Sequence, residues 1–173
     1  MHISLLPLAF LISKALADGA AIVAAMATIS SATVALNNTV ASFPSNVLAD
    51  LLDVAPLLSD SISLLNDINA ATHVAQTSAN LTTLEATSVA QSTLSLASTV
   101  ESVLNTIIAA KPKFDKLLVV SPVILLNLRE EKAATDEFGS AVTAKVPSAL
   151  QATASGLLAP IDAAFNEAFG VYE

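Results

Sequence analysis

Ile22–Phe43 reads IVAAMATISSATVALNNTVASF, and its large apolar residues stand at Ile22, Met26, Ile29, Leu36, Val40 and Phe43, with Thr33 completing steps of four and three. That spacing belongs to a helix that buries a single stripe. Alanine, serine and threonine fill the places between, so the helix is slender and offers few charges to water. Phe43-Pro44-Ser45 ends it, because proline cannot donate to the helical ladder.

The same pattern repeats toward the C-terminus. Leu48, Leu52, Ala55, Leu58, Ile62, Leu65 and Ile68 predict a second helix reaching His73, continuous through a kink at Pro56 and with Asp50 and Asp53 facing water. A third, from about Thr83 to Ala109, carries Ala86, Ala90, Leu94, Ala97, Val100, Leu104 and Ile107. Beside that stripe runs a neutral hydroxyl face of Ser88, Ser92, Ser95, Thr99, Ser102 and Thr106. Lys111-Pro112-Lys113 reads as its end, with lysines suited to exposed carbonyls. Ser121-Pro122 reads as a cap and first turn for a fourth helix through Leu125, Leu128, Phe138 and Val142 to about Lys145. Val146-Pro147-Ser148 opens a fifth, carrying Leu150, Leu157, Ile161, Phe165, Phe169 and Tyr172 and bent near Pro160. The expected fold class is all-α: an antiparallel bundle of about five amphipathic helices, without disulfides.

Toward the N-terminus, Ile3–Ile12 is an apolar core followed by Ala15-Leu16-Ala17, the small-x-small pattern of a signal-peptidase site. We read Met1–Ala17 as a secretory signal peptide, cleaved before Asp18, and residues 18–173 as one domain. Pro7 argues against a buried helix in the leader. Loss of Lys14 takes the net charge from −8 to −9, which disfavours nucleic acid as a partner. All other Lys and Arg fall from Lys111 onward, whereas Asp18–Ala110 carries acids alone. Asn37-Asn38-Thr39 and Asn80-Leu81-Thr82 are N-glycosylation sequons, placing candidate glycans on Asn37 and Asn80. Much of the 54% of hydrophobic residues is alanine; acids interrupt the leucines and no transmembrane segment is expected. The C-terminal Phe169-Gly170-Val171-Tyr172-Glu173 does not predict a lipid anchor.

Catalytic patterns do not emerge. His73 has no Glu-x-x-His partner, so neither metal nor cofactor is called for. Gly19, Gly139, Gly156 and Gly170 are scattered singly, which leaves no phosphate loop or nucleophile elbow. Glu130, Glu131, Asp136 and Glu137, beside Arg129 and Lys132, read as a solvated helix face. The protein is expected not to be an enzyme.

The ordered succession Ala110-Lys111-Pro112-Lys113-Phe114-Asp115, Lys145-Val146-Pro147, Ile161-Asp162-Ala163-Ala164-Phe165 and terminal Tyr172, set among alanine-rich helices, resembles the fungal family of hydrophobic surface-binding protein A and cell wall galactomannoproteins. The resemblance spans Asp18–Glu173. It implies an extracellular helical bundle that adheres to hydrophobic surfaces, can help recruit a secreted esterase to polyester and, in some members, holds a fatty acid between helices. The chain lacks the Ser/Thr-rich tail of wall-anchored members, so free secretion is expected rather than covalent wall attachment.

Two mechanisms stay open. In one, facing stripes of small residues leave a slot for a fatty acid or other apolar ligand, lined by Phe43, Leu65, Leu104, Phe138, Val142 and Phe165, with Ser95 or Thr99 holding a carboxylate. Against it stands plain packing of the same residues on one another. In the other, oily stripes turn outward and the protein adsorbs to polyester, wax or lipid surfaces.

Overall fold

A computed structural model describes the backbone of residues 6–44, 51–117 and 120–173, and side chains over 18–44, 54–117 and 120–173. Side chains of the expected leader, of Leu52 and of Asp53, and all of Leu48 and Asp50, lie outside the described residues. The described elements are α1 (Leu6–Ser42), α2 (Leu51–Thr77), α3 (Thr83–Phe114), α4 (Val120–Lys145), a 3-10 turn (Ser148–Leu150), α5 (Gln151–Gly156) and α6 (Ala159–Tyr172). The all-α bundle expected from the periodicity is observed.

The long helices pack as a ring. α1 touches α2 and α3, α2 touches α4, and α6 stands between α4 and α3 and closes the circuit. Successive long helices alternate in direction, as short connections require. The ring order nevertheless brings two parallel pairs together. Gly19, Met26 and Ser30 of α1 meet Glu85, Thr93 and Thr99 of α3 in the same order, while α2 and α4 join through Ser61 and Glu131.

The α1 stripe is buried at every expected position, from Ile22 to Phe43. On α2 the register differs by one residue: Val54, Leu57, Ser61, Leu64 and Ile68 face the core, whereas Ile62 is 60% exposed and Leu65 half-buried. The buried stripe passes through Ser61, a polar residue that the sequence reading set aside. On α3, Thr93 and Leu96 are buried and Leu94 is exposed. Thr93 tolerates burial because its hydroxyl donates to the Val89 carbonyl one turn back at 2.9 Å; Thr33 and Thr72 do the same to Ile29 and Ile68.

Three boundaries differ from expectation. α3 continues through Pro112 to Phe114, because Phe114 is fully buried and stacks edge-on against Phe43 at 4.9 Å, a contact worth more than the one lost ladder bond. Lys113 then serves the end of α1 rather than its own helix, donating to the Phe43 carbonyl at 2.9 Å. Ser121 does not cap α4, which begins at Val120; its hydroxyl donates to Asp115 at 2.6 Å. The fifth helix is two pieces. Pro160 sits in the first turn of α6, where its missing N–H is harmless, so the chain turns at Leu157-Leu158 instead of bending.

Asp18–Ser42 and Thr83–Phe114 are each long and apolar enough to cross a membrane by length and composition, which corrects the expectation that no segment reaches that limit. In the structure they are the two parallel staves α1 and α3.

The α2–α3 connection is pinned by a capping box. Glu85 N–H donates to Thr82 Oγ1 at 3.3 Å, Thr82 N–H returns a bond to Glu85 Oε2 at 2.8 Å, and Gly19 N–H donates to Oε1 at 3.3 Å. Burial pushes the Glu85 carboxyl up, but the Thr82 and Gly19 bonds outweigh it and hold it below the usual range. A Cβ on residue 19 would fall 2.8 Å from Glu85 Cβ, so glycine is required there. In urea unfolding, Thr82→Ala is expected to cost about 1 kcal/mol and Phe114→Ala about 3 to 5 kcal/mol. Equal effects of the two would show that the aromatic contact does not hold the far end of the bundle.

Candidate functional site

Enclosed by the ring is a cavity of about 250 Å³. Every long helix supplies part of its wall: Met26, Ile29 and Thr33 from α1, Leu64 and Ile68 from α2, Val89, Thr93 and Leu104 from α3, Phe138 and Val142 from α4, Ile161 and Phe165 from α6. Leu150, Leu157 and Leu158, from the 3-10 turn and the ends of α5, roof it. No residue of the 3-10 turn or of α5 is itself buried. Gly139 permits this roof, because a Cβ there would lie 2.6 Å from Leu158 Cδ1. Thr87 and Thr153, both exposed, stand at the lip.

The wall is apolar in effect as well as in composition. Several wall threonines turn their hydroxyls to their own helices: Thr33 to Ile29, Thr87 to Thr83, Thr93 to Val89, and Thr135 to Glu131 at 2.7 Å. The size of the cavity is just under the roughly 300 to 1,000 Å³ of ordinary ligand sites, so it fits a slender chain.

Of the residues expected to line a slot, Leu104, Phe138, Val142 and Phe165 do stand in the wall. Phe43 does not; it is spent on the contact with Phe114 at the bundle's end. Leu65 sits half-buried beside the core, one position off the α2 stripe. Ser95 is exposed, and Thr99 donates to the Ser95 carbonyl at 3.1 Å and lies 3.5 Å from Ser30, so neither hydroxyl reaches the cavity. Asn80 is exposed in the α2–α3 connection, whereas Asn37 is half-buried in α1 with its Oδ1 covered and unpartnered. Among the described residues no cluster of His, Cys, Asp or Glu could hold a metal ion.

Glu131, expected on a solvated helix face, is also placed otherwise by the structure. Only 5% exposed, it faces the cavity rather than solvent, and its Oε1 accepts from Ser61 Oγ at 2.6 Å. Its neighbours Glu130 and Glu137 are exposed, as expected. A signal was present: Ile124, Leu128, Glu131, Ala134, Phe138 and Val142 run in helical steps, and Glu131 occupies a stripe position.

The fold and site define a helical bundle closed around a largely apolar cavity. The chain belongs to the hydrophobic surface binding protein A family, whose pattern residues 19–144 match. It is 29% identical over 121 residues to cell wall mannoprotein 1 of Aspergillus flavus, across 70% of this chain and 44% of that protein; it thus spans under half the length of that relative. Among solved structures, AFMP4P in complex with palmitic acid superposes with a TM-score of 0.83 at 26% identity, covering 90% of this chain and 99% of that one. Ligand binding domain 1 of Penicillium marneffei MP1 protein, complexed with arachidonic acids, shares the fold with a TM-score of 0.82 at 15% identity, over 90% and 99% of the two chains.

Glu131 also sets how the fold responds to pH. Burial pushes its carboxyl up to about 7, the Ser61 hydrogen bond opposing and the Glu130 charge reinforcing the rise. Between pH 4.5 and about 7 the unfolded chain has released a proton that the native state retains, so stability falls across that window by about 3 kcal/mol. Glu131→Gln, which keeps an acceptor for Ser61, is expected to raise the melting temperature at pH 8 and to leave it nearly unchanged at pH 4.5. A wild type and variant that melt alike at both pH values would place the carboxyl in water.

Proposed function

We propose that this protein is a non-catalytic carrier of single-chain lipids, fatty acids foremost, which lie in the cavity among Leu104, Phe138, Val142 and Phe165. The observation that carries this reading is the cavity itself: an apolar void whose wall is drawn from every long helix. AFMP4P, a relative over nine-tenths of this chain, is found with palmitic acid, and that supports a fatty acid here. Burial of about 14 methylenes at roughly 0.8 kcal/mol each gives a gross gain of about 11 kcal/mol, enough for useful affinity after ordering costs.

Family membership and the Met1–Ala17 leader support secretion, with release from the cell or association with the wall. Asn80 is the sequon suited to a glycan, being exposed. Adsorption to hydrophobic surfaces is a second activity of the same molecule, favoured by Ile62, Leu84, Leu94 and Leu126, each more than half exposed. Esterase recruitment to polyester would follow from adsorption and needs no additional site.

Delipidated protein is expected to take up radiolabelled palmitic acid at micromolar concentration. Val142→Phe, which adds bulk to the wall, should lower the affinity at least about tenfold while the helical circular-dichroism signal persists. Failure of the wild type to take up any labelled fatty acid at pH 5.5 would end the carrier reading. For adsorption, Leu84→Asp with Leu94→Asp should reduce retention on wax beads without altering palmitate uptake; unchanged retention would remove these residues from the adsorbing face. On secretion from a eukaryotic host, Asn80→Gln should abolish a glycan mass shift that Asn37→Gln leaves in place.

A further inference from the structure

The wall of the cavity carries one ionisable group among its described residues, and that group is built into it. Glu131 comes from the middle of α4, is nearly fully buried, and has one carboxyl oxygen fixed by Ser61 of α2 at 2.6 Å. Among the described residues its second oxygen has no hydrogen-bond partner, and the side chain forms part of the cavity wall. Behind it, toward the other end of the bundle, lies a small space of about 20 Å³ bounded by Leu36, Leu57, Ser61, Ile107 and Asn127. Glu131 is common to both spaces and is the only titratable side chain in either wall. It therefore stands where a chain entering past the α5 roof comes to its end.

We propose that Glu131 is the head-group contact of the cavity, selecting single-chain lipids that end in a neutral hydrogen-bonding group, such as an alcohol, an amide or an undissociated acid, and rejecting a carboxylate once Glu131 is itself ionised. The inference rests on the carrier reading above. An undissociated Glu131, with its carbonyl oxygen held by Ser61, turns its O–H into the cavity as a donor; an ionised one offers an acceptor to an alcohol or amide. Only a carboxylate facing an ionised Glu131 presents two like charges in a largely apolar site, the arrangement that costs most.

The charges around Glu131 bear this out. α1 and α3 bring no ionisable group to either wall. On α2 the nearest acid in sequence, Asp60, is occupied by the Thr39 hydroxyl. On α4, Glu130 adds negative charge and raises the Glu131 carboxyl, while Arg129 pairs outward with Glu173, and Lys132 with Asp136 and with Asp162 of α6. Among the described residues no Lys, Arg or His lines either space. Affinity for a fatty acid should accordingly fall as Glu131 loses its proton, whereas affinity for the matching alcohol should not.

The test compares dodecanoate with dodecanol on delipidated wild type and Glu131→Gln, by equilibrium dialysis below the micellar limit at pH 5.5 and pH 8.5. For dodecanoate, the ratio of wild-type to variant Kd should be within about threefold at pH 5.5 and at least about tenfold at pH 8.5, because only the ionised carboxyl differs from the amide in charge. For dodecanol it should stay within about threefold at both. Ser61→Ala, which removes the bond that favours the ionised form, should move the onset of dodecanoate loss to higher pH, a shift that a merely structural role would not produce. A dodecanoate ratio that does not change with pH, or a dodecanol ratio that changes equally, overturns the proposal and leaves the carrier reading standing. Absence of binding by either ligand to the wild type at both pH values would overturn the carrier reading, and this inference with it.

Discussion

The structure depends on a shortage of volume. Aromatic residues are 4% of the chain and tryptophan is absent, so stripes made largely of alanine, valine, threonine and leucine must meet across a ring of five staves. Natural interiors are packed to crystal-like density, and small side chains can approach it only where two helices lie close, as the extensively packed parallel pair α1 and α3 do. At the centre they cannot meet. α6 enters between α3 and α4 and completes the circuit, but Ile161 and Phe165 fill its own seam rather than the middle. A void is the geometric result of slender staves held in a closed ring.

Much of this was legible in the amino-acid order, and the places where it was not have a common cause. The α1 stripe was read residue for residue, because each of its positions obeys helical spacing with apolar side chains and one self-satisfied threonine. The α2 stripe was read one residue late. Ser61 takes a core position there only because Glu131, seventy residues on, reaches it from a parallel helix, and no local rule announces such a pair. Glu131 was hidden by the same fact from the other side: beside Glu130, Arg129 and Lys132 it resembles a solvated face. Periodicity in the fourth helix marked it as inward, but charge ordinarily overrides periodicity in a reading from sequence, since a buried carboxylate without a partner is costly.

Helix ends show a related division of labour. Local signals located Lys113 and Lys145 near termini, yet both lysines serve other helices, Lys113 the Phe43 carbonyl of α1 and Lys145 the Gln76 carbonyl of α2 at 2.9 Å. Orphan carbonyls at a helix end need donors, and ring packing supplies them across the gap. Capping thereby adds polar ties between staves that already pack on one another, and Tyr172 ties α6 to α3 in the same way by donating to the Ile107 carbonyl at 2.7 Å. Apart from the buried Ser61–Glu131 bond, polar ties between staves gather at the ends and edges, and the rest of the middle is left to dispersion.

That distribution has a mechanical consequence. Because the interior threonines spend their hydroxyls on carbonyls of their own helices, sliding one stave past another around the void breaks few directional bonds, the Ser61–Glu131 pair foremost among them. The bundle behaves less like a lock cut for one key than like a pliable sheath, stiff at its rims and compliant at its waist, whose bore takes the outline of whatever chain lies inside it.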